Sequence, residues 1–196
     1  IMAKIKLTKN ELKTQRDALK RFQRYLPTLQ LKKQQLQMEM RKLDLEIIKK
    51  RQEEESARAG LASWIRLYSE PIDLSEYVSI ERLKTSRGNI AGVNIPLLDD
   101  LEFHEETPDL FETDAWMDRG VETLKLLMRL RVERQVMEEQ HRLLGEELRT
   151  TTQRVNLFEK VKIPEAKENI RVIRIFMGDQ QTAAVARSKI AKGKGA

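Results

Sequence analysis

Two histidines and a large number of carboxylates are the side chains here that could ligate a metal or move protons. Their spacing argues against both. His104-Glu105-Glu106 lacks the second histidine, one helical turn on, that a zinc-protease site needs, and His141 lies far along the chain. The sequence has no cysteine, which excludes thiolate metal sites and disulfides and fits a reducing cytosolic setting. Gly88-Asn89-Ile90-Ala91-Gly92 carries the glycines of a phosphate loop, but no Gly-Lys-Ser/Thr follows, and the stretch reads as a turn. No serine stands in a recognisable nucleophile context. The expectation is a chain without catalytic residues, metal or cofactor.

Composition points to a mechanical object. Of 196 residues, 35% are charged, 5% aromatic and 40% hydrophobic, too little apolar material for a large round core but enough for a thin seam. No apolar run approaches the ~18 residues of a membrane span, and the N-terminal stretch lacks a signal-peptide core. The chain should be soluble and cytoplasmic, at most peripheral to a membrane. The net charge of +6 hides a polarity. Lys4 to Arg24 holds eight basic residues against Glu11 and Asp17; Ser69 to Gly120 holds thirteen acids against four bases. Arg187, Lys189, Lys192 and Lys194 close the chain with no acid among them. Basic ends and an acidic middle suit docking to two different partners, or simply a solvated surface.

Hydrophobic periodicity supplies the scaffold. Thr8-Lys9-Asn10-Glu11 has capping-box spacing, so a helix should start there. One seam then runs Leu12, Leu19, Leu26, Lys33, Met40, Ile47, and its companion Gln15, Phe22, Leu29, Leu36, Leu43, Lys50. Nine of these twelve positions are apolar, as a coiled-coil strand requires. Leu31, Leu45 and Ile48 widen the stripe and predict a third element on that flank. The helix should reach about Tyr68 and stop before Pro71. A second helix should begin near Thr113-Asp114, with a seam of Leu127, Leu130, Arg134, Met137, His141, Leu144, Leu148, Thr151, Val155 and Phe158. After Pro164 the stripe resets to Ile163, Ala166, Ile170, Ile173 and Met177, and Gly178 is expected to cap the helix, with a short extension and a loose tail beyond.

Two such helices should fold back on one another. At 1.5 Å per residue, some 55 residues span roughly 80 Å, and facing residue numbers should add to about 184. That places Leu29 near Val155, Ile47 near Met137, and Trp64 with Trp116 where the coil meets the middle. Pro27 and Pro164 fall about two turns apart, and each should bend its helix. Between the helices, Tyr77 to Leu83 alternates with period two, Ser86-Arg87-Gly88-Asn89 reads as a turn, and Ile90 to Phe103 as a returning strand. Pro96 confines that strand to an edge or a bulge, and Glu102 to Asp114 reads as acidic loop. The fold class is therefore mainly α, a long antiparallel two-helix coiled coil with a small β-hairpin-containing middle segment. Its divisions are 1–68, 69–113, 114–178 and a basic extension over 179–196.

One short stretch is more specific than any periodicity. Arg154, Val155 and Asn156, then Glu159, then Ile163 and Pro164 resemble the C-terminal signature of the D subunit, the central rotor shaft of V/A-type rotary ATPases. Thr8 with Leu12, and Lys32, Lys33 and Leu36, resemble weaker family patterns in the first helix. Gln153 stands where the family often has a second arginine, and Leu7 where proline is common. The resemblance implies a non-catalytic shaft whose two termini enter the hexamer of catalytic and non-catalytic ATPase subunits, where ATP would bind. It implies a small rotor partner, the F subunit, near the lower half and a funnel subunit above the membrane ring, with no direct membrane insertion and no nucleic acid. Lys4, Lys6, Lys9, Arg187, Lys189 and Lys192 become candidate bearing contacts with the hexamer.

Two other classes fit the same periodicity. A prefoldin-like chaperone subunit also sets two helices around β-hairpins, but its coil tips expose apolar grips where these termini are basic. An RNA-binding coiled-coil arm is permitted by the pI near 9.5, yet base stacking needs aromatics beside positive charge, and the aromatics here sit at seam positions or helix ends.

Overall fold

The computed structural model describes residues 5–61, 77–106 and 117–194. Helix α1 (Lys9–Leu61) opens where a capping side chain is available. Thr8 Oγ1 accepts from the Glu11 amide at 3.3 Å, and the Thr8 carbonyl accepts from Leu12 at 3.0 Å. The helix passes Pro27 unbroken. Pro27 and Gln23, whose carbonyl loses its donor there, are both exposed, so water can take the vacant acceptor. Strands β1 (Val78–Ile90) and β2 (Val93–Glu105) form one antiparallel hairpin. Helix α2 (Met117–Asn156) passes through a π-helical segment (Leu157–Lys162) into α3 (Ile163–Gly193). The expected ends near Tyr68 and Thr113-Asp114 and the Trp64–Trp116 pair lie outside the described residues.

The chain divides into two compact units, residues 1–34 with 149–196, and residues 35–148. In the first, Gln15 meets Asn169 and Phe22 meets Phe158, so numbers rise on one helix as they fall on the other. The two helices are antiparallel there. Leu12, Ile170 and Ile173 form the core, with Ile5, Leu7, Leu19 and Met177 packed around it. In the second unit Asp44 meets His141, Arg51 meets Glu138 and Glu54 meets Arg134, again antiparallel. Its core is Leu36, Leu43, Ile95 and Leu144, with Met40, Ile90, Ala91, Val93 and Leu148 against it. Burying each such side chain stabilises by roughly 1.5–3 kcal/mol. The fold is thus mainly α, with antiparallel helix pairing within each unit and a two-stranded hairpin in the middle of the chain.

Four local expectations need correction. The hairpin does not turn at Ser86 to Asn89. β1 continues through those residues, and the chain reverses at Ala91 (φ 52°) and Gly92 (φ 81°). Two successive positive φ values make the two-residue turn whose twist matches that of the strands. Asn89 supports it, accepting from the Gly92 amide at 3.1 Å and donating to Asn94 Oδ1 at 3.0 Å. Gly88 lies inside β1, where a Cβ would stand 2.7 Å from Leu97 Cδ1, so its lack of a side chain makes room across the ribbon. β2 also carries ordered strand through Glu105, into the stretch read as loop.

Gly178 does not end the C-terminal helix. α3 runs through it to Gly193. The ~1 kcal/mol penalty of one glycine is outweighed by the good helix formers on either side, and Thr182 Oγ1 bonds back to the Gly178 carbonyl at 3.1 Å. The third element exists but covers a different face. The hairpin tip packs on Leu36, Met40, Leu43 and Leu144, while Leu31, Leu45 and Ile48 stay exposed.

Candidate functional site

The signature stretch is half seam and half surface. Val155 is only 3% exposed and sits in the seam one turn beyond the buried Thr151. Arg154, Asn156, Glu159 and Pro164 face solvent, and Ile163 is half-buried. Between them the backbone widens: the Ile163 amide bonds to the Phe158 carbonyl, five residues back, instead of the α-helical four. Pro164 has no amide to donate and would crowd an ideal preceding turn, so the π-helical turn relieves that strain. It also absorbs about one residue of phase, so the seam of Val155 and Phe158 is taken up by Ala166, Asn169, Ile170 and Ile173. Phe158 stays anchored against Phe22, with ring centroids 5.3 Å apart and planes tilted by 34°. Leu157 and Val161, on the same turn, are exposed apolar side chains. The segment therefore presents polar, charged and apolar groups outward from a fixed position.

The candidate bearing residues Lys6, Lys9, Arg187, Lys189 and Lys192 are all exposed, and Lys4 lies outside the described residues. From Gln180 onward every described residue of α3 is exposed, Val185 and Ile190 included. The named seam residues take the opposite place. Leu12, Leu36, Leu43, Ile47, Leu130, Leu144 and Val155 are buried. Leu19, Phe22, Leu26, Leu29, Met40, Leu127, Met137, Leu148 and Phe158 are half-buried.

Two surface features had weaker sequence signals. On α1, Met38, Leu45 and Ile48 are exposed, Leu45 by 69%, and the neighbouring surface carries Arg41, Lys42 and Lys49. Met38 and Leu45 are one heptad apart on the side away from the seam, where a solvated helix normally carries polar residues. The second feature is a cross-helix array of charges. Arg51 Nη2 and Arg134 Nη1 both donate to Glu138 Oε1, each at 2.9 Å. Lys50 Nζ reaches Glu133 at 2.8 Å and Glu53 at 3.0 Å. The hydrogen bond from Arg51, joined by that from Arg134, holds the Glu138 carboxyl below its ordinary value against the opposing effect of burial. Hydrogen bonds to Glu133 and Glu53 push the Lys50 ammonium up. Arg134 stood in the predicted seam, and Glu54 fills the seam position one heptad after Ile47. Charges at facing seam positions were the available clue. The two histidines are apart in use, His141 Nε2 lying 3.0 Å from Asp44 and His104 Nε2 3.8 Å from Glu106. Among the described residues no group of His, Asp and Glu is placed to hold a metal, and no helix is long and apolar enough to cross a membrane.

Comparison with known proteins adds a family. The family described as the D subunit of ATP synthase matches residues 11–193. The V-type ATP synthase D subunit of Borreliella burgdorferi is 49% identical over 191 residues, covering 97% of this chain and 95% of that protein. The protein of the same name from Chlamydia caviae is 35% identical over 195 residues, covering 98% and 94%. That of Chlamydia pneumoniae is 32% identical over 193 residues, covering 97% and 92%.

Proposed function

The chain belongs to the ATP synthase D-subunit family, and from that premise we propose that it is the non-catalytic central-stalk rotor of a V/A-type ATP synthase or ATPase. It transmits torque between the hexamer that makes or hydrolyses ATP and the ion-translocating membrane ring. The observation that carries the reading is the division of labour in each unit: the apolar seam is spent on pairing two antiparallel helices, and the groups left outside are charged or suited to other chains. A paired rod resists twisting better than a single helix. Binding changes in the hexamer bias the orientation of the rod, and the rod biases the hexamer in return, through differential contacts.

Each exposed feature then has a partner. The cations Lys6, Lys9, Arg187, Lys189 and Lys192 meet the catalytic and non-catalytic hexamer subunits, where the nucleotide binds. The face of Met38, Leu45 and Ile48 suits the small F subunit of the rotor, and the middle segment faces the funnel subunit above the ring. The protein works at the cytoplasmic side of the membrane as a peripheral member of the complex.

A pull-down of tagged chain from its native membrane extract, read by mass spectrometry, tests this. Recovery of nucleotide-binding ATPase subunits with a small rotor partner supports the reading. Recovery of unfolded clients or RNA, with no ATPase subunit, overturns it. Two variants separate the contacts. Charge reversal at Arg187, Lys189 and Lys192 should deplete the hexamer subunits, and Leu45→Lys should deplete the small partner while leaving the hexamer.

A further inference from the structure

Charge in a coiled-coil seam costs stability, so a charged seam position needs a reason. Glu54 is buried, 8% exposed, at the seam position one heptad after Ile47. Its Oε1 accepts from Arg58 Nη2 at 2.8 Å and its Oε2 from Arg134 Nε at 3.1 Å. Arg134 Nη1 continues to Glu138 Oε1 at 2.9 Å, which Arg51 Nη2 also reaches at 2.9 Å. Arg58, Glu54, Arg134, Glu138 and Arg51 therefore form one chain of alternating sign that crosses between α1 and α2 twice. No buried side-chain polar atom among the described residues is left without a partner.

The apolar part of this seam repeats every heptad, so it cannot distinguish the observed pairing from one displaced by seven residues. We infer that the Glu54–Arg134 array is a register lock, which excludes sliding of α2 by one heptad toward the N-terminal end of α1. After that slide Glu54 would face Leu127, Arg134 would face Ile47, and Lys50 would lose Glu133 for Leu126. Glu54 and Arg134 would then sit in the seam opposite apolar side chains, each keeping only the partner on its own helix, Arg58 and Glu138, a heavier penalty than apolar residues impose there. A single polar seam position fixes register in other coiled coils by the same physics. The lock stands on this unit's own geometry and does not depend on the rotor reading.

Because the chain has no cysteine, engineered thiols are unambiguous reporters. Asp44→Cys with His141→Cys reports the observed register, since those side chains touch at 3.0 Å. Gln37→Cys with His141→Cys reports the register displaced by one heptad. In the otherwise unchanged full chain a short bifunctional thiol cross-linker should join the first pair and not the second. With Glu54→Met and Arg134→Met added, cross-linking of the displaced pair should rise about tenfold or more while circular dichroism keeps its helical signal. If that variant loses helix, Glu54→Gln with Arg134→Gln carries the same test and must show the same rise. A displaced pair that stays silent in a helical variant overturns the lock and assigns the register elsewhere, for example to Gln140 Nε2 on the Pro96 carbonyl at 2.6 Å. Lys50→Ala with Glu133→Ala should leave the displaced pair silent; cross-linking there would also overturn the assignment to Glu54.

Discussion

The unit that carries both ends of the described chain and the unit that carries the hairpin solve one problem, holding two antiparallel helices together, with different chemistry. In the first, the described cross-helix contacts include Leu12 with Ile170 and Ile173, the tilted Phe22–Phe158 pair, and a neutral amide bond from Asn169 Nδ2 to Gln15 Oε1 at 3.3 Å. The ion pairs Lys162–Glu165 and Arg171–Glu168 run along one helix and join nothing across. In the second, the helices are joined by Arg51–Glu138, Glu54–Arg134, Lys50–Glu133 and Asp44–His141, and the hairpin tip closes over Leu36 and Leu144. The difference teaches where specificity is kept. A seam of apolar side chains gives adhesion; charges at fixed levels and a third element add a unique alignment.

The largest expected effect tests the third element. Leu144 and Ile173 are both fully buried, one in each unit. Either change to alanine should cost about 2–5 kcal/mol, from lost burial and the cavity left behind. Leu144→Ala should lie nearer the top of that range, because Leu144 packs on α1 and on the hairpin together. Denaturant titration of both variants measures this. Equal losses would mean that the hairpin tip adds nothing to the helix pair beneath it.

A smaller effect of opposite sign tests the first unit. Gly178 sits inside α3 with no atom within 4 Å of a would-be Cβ. Gly178→Ala should therefore stabilise the helix by about 1 kcal/mol, read as a rise in melting temperature or slower amide exchange around residue 178. A cap glycine in a left-handed conformation would respond the other way. The sign of the change decides between a continuous α3 and a break there.

That case shows what periodicity can and cannot convey. The antiparallel pairing of the helices was legible: Gln15–Asn169 and Asp44–His141 add to 184 and 185 against the expected 184, while Phe22–Phe158 adds to 180 and Arg51–Glu138 to 189, because a heptad repeat fixes the facing level only to within about a turn. The family was legible in Arg154 to Pro164, a spacing that a generic coil has no reason to carry. The turn was not. Ser86 to Asn89 has turn-forming residues, yet the positive φ falls on Ala91, which local preference disfavours and only the strand pairing imposes. The destination of the hairpin was not legible. Leu31, Leu45 and Ile48 looked like the flank for a third element, but Pro96 and Ile95 of the hairpin lie over Gln140 and Leu144. Which apolar face stays bare is settled by tertiary packing, and a one-dimensional pattern does not contain it.

The smallest effects should follow pH and salt, and they should be confined to one unit. Glu138 has a carboxyl held below its ordinary value of 4.5, first by the hydrogen bond from Arg51 and then by Arg134. A depressed carboxyl contributes stability that is present above the unfolded value and lost as pH falls through the folded one. Below about pH 4.5, therefore, the Arg51–Glu138–Arg134 link should loosen. Lys50 has the opposite sign. Its raised ammonium contributes below the ordinary 10.5, and the contribution is lost as pH rises through the folded value. Each pair is partly solvated, so each loss should stay within about 1 kcal/mol, and salt near 1 M, where screening acts within about 3 Å, should imitate both. In the other unit Glu168 is also depressed, by Arg171 three residues along the same helix, so its protonation releases no cross-helix contact. Amide protection, taken relative to the intrinsic exchange rate at each pH, should thus fall from pH 7 to pH 3.5 around residues 51, 54, 134 and 138 and hold steady around 12, 170 and 173. A uniform fall in protection would show that charge acts through overall repulsion alone, and the contrast between the two units would lose its physical basis.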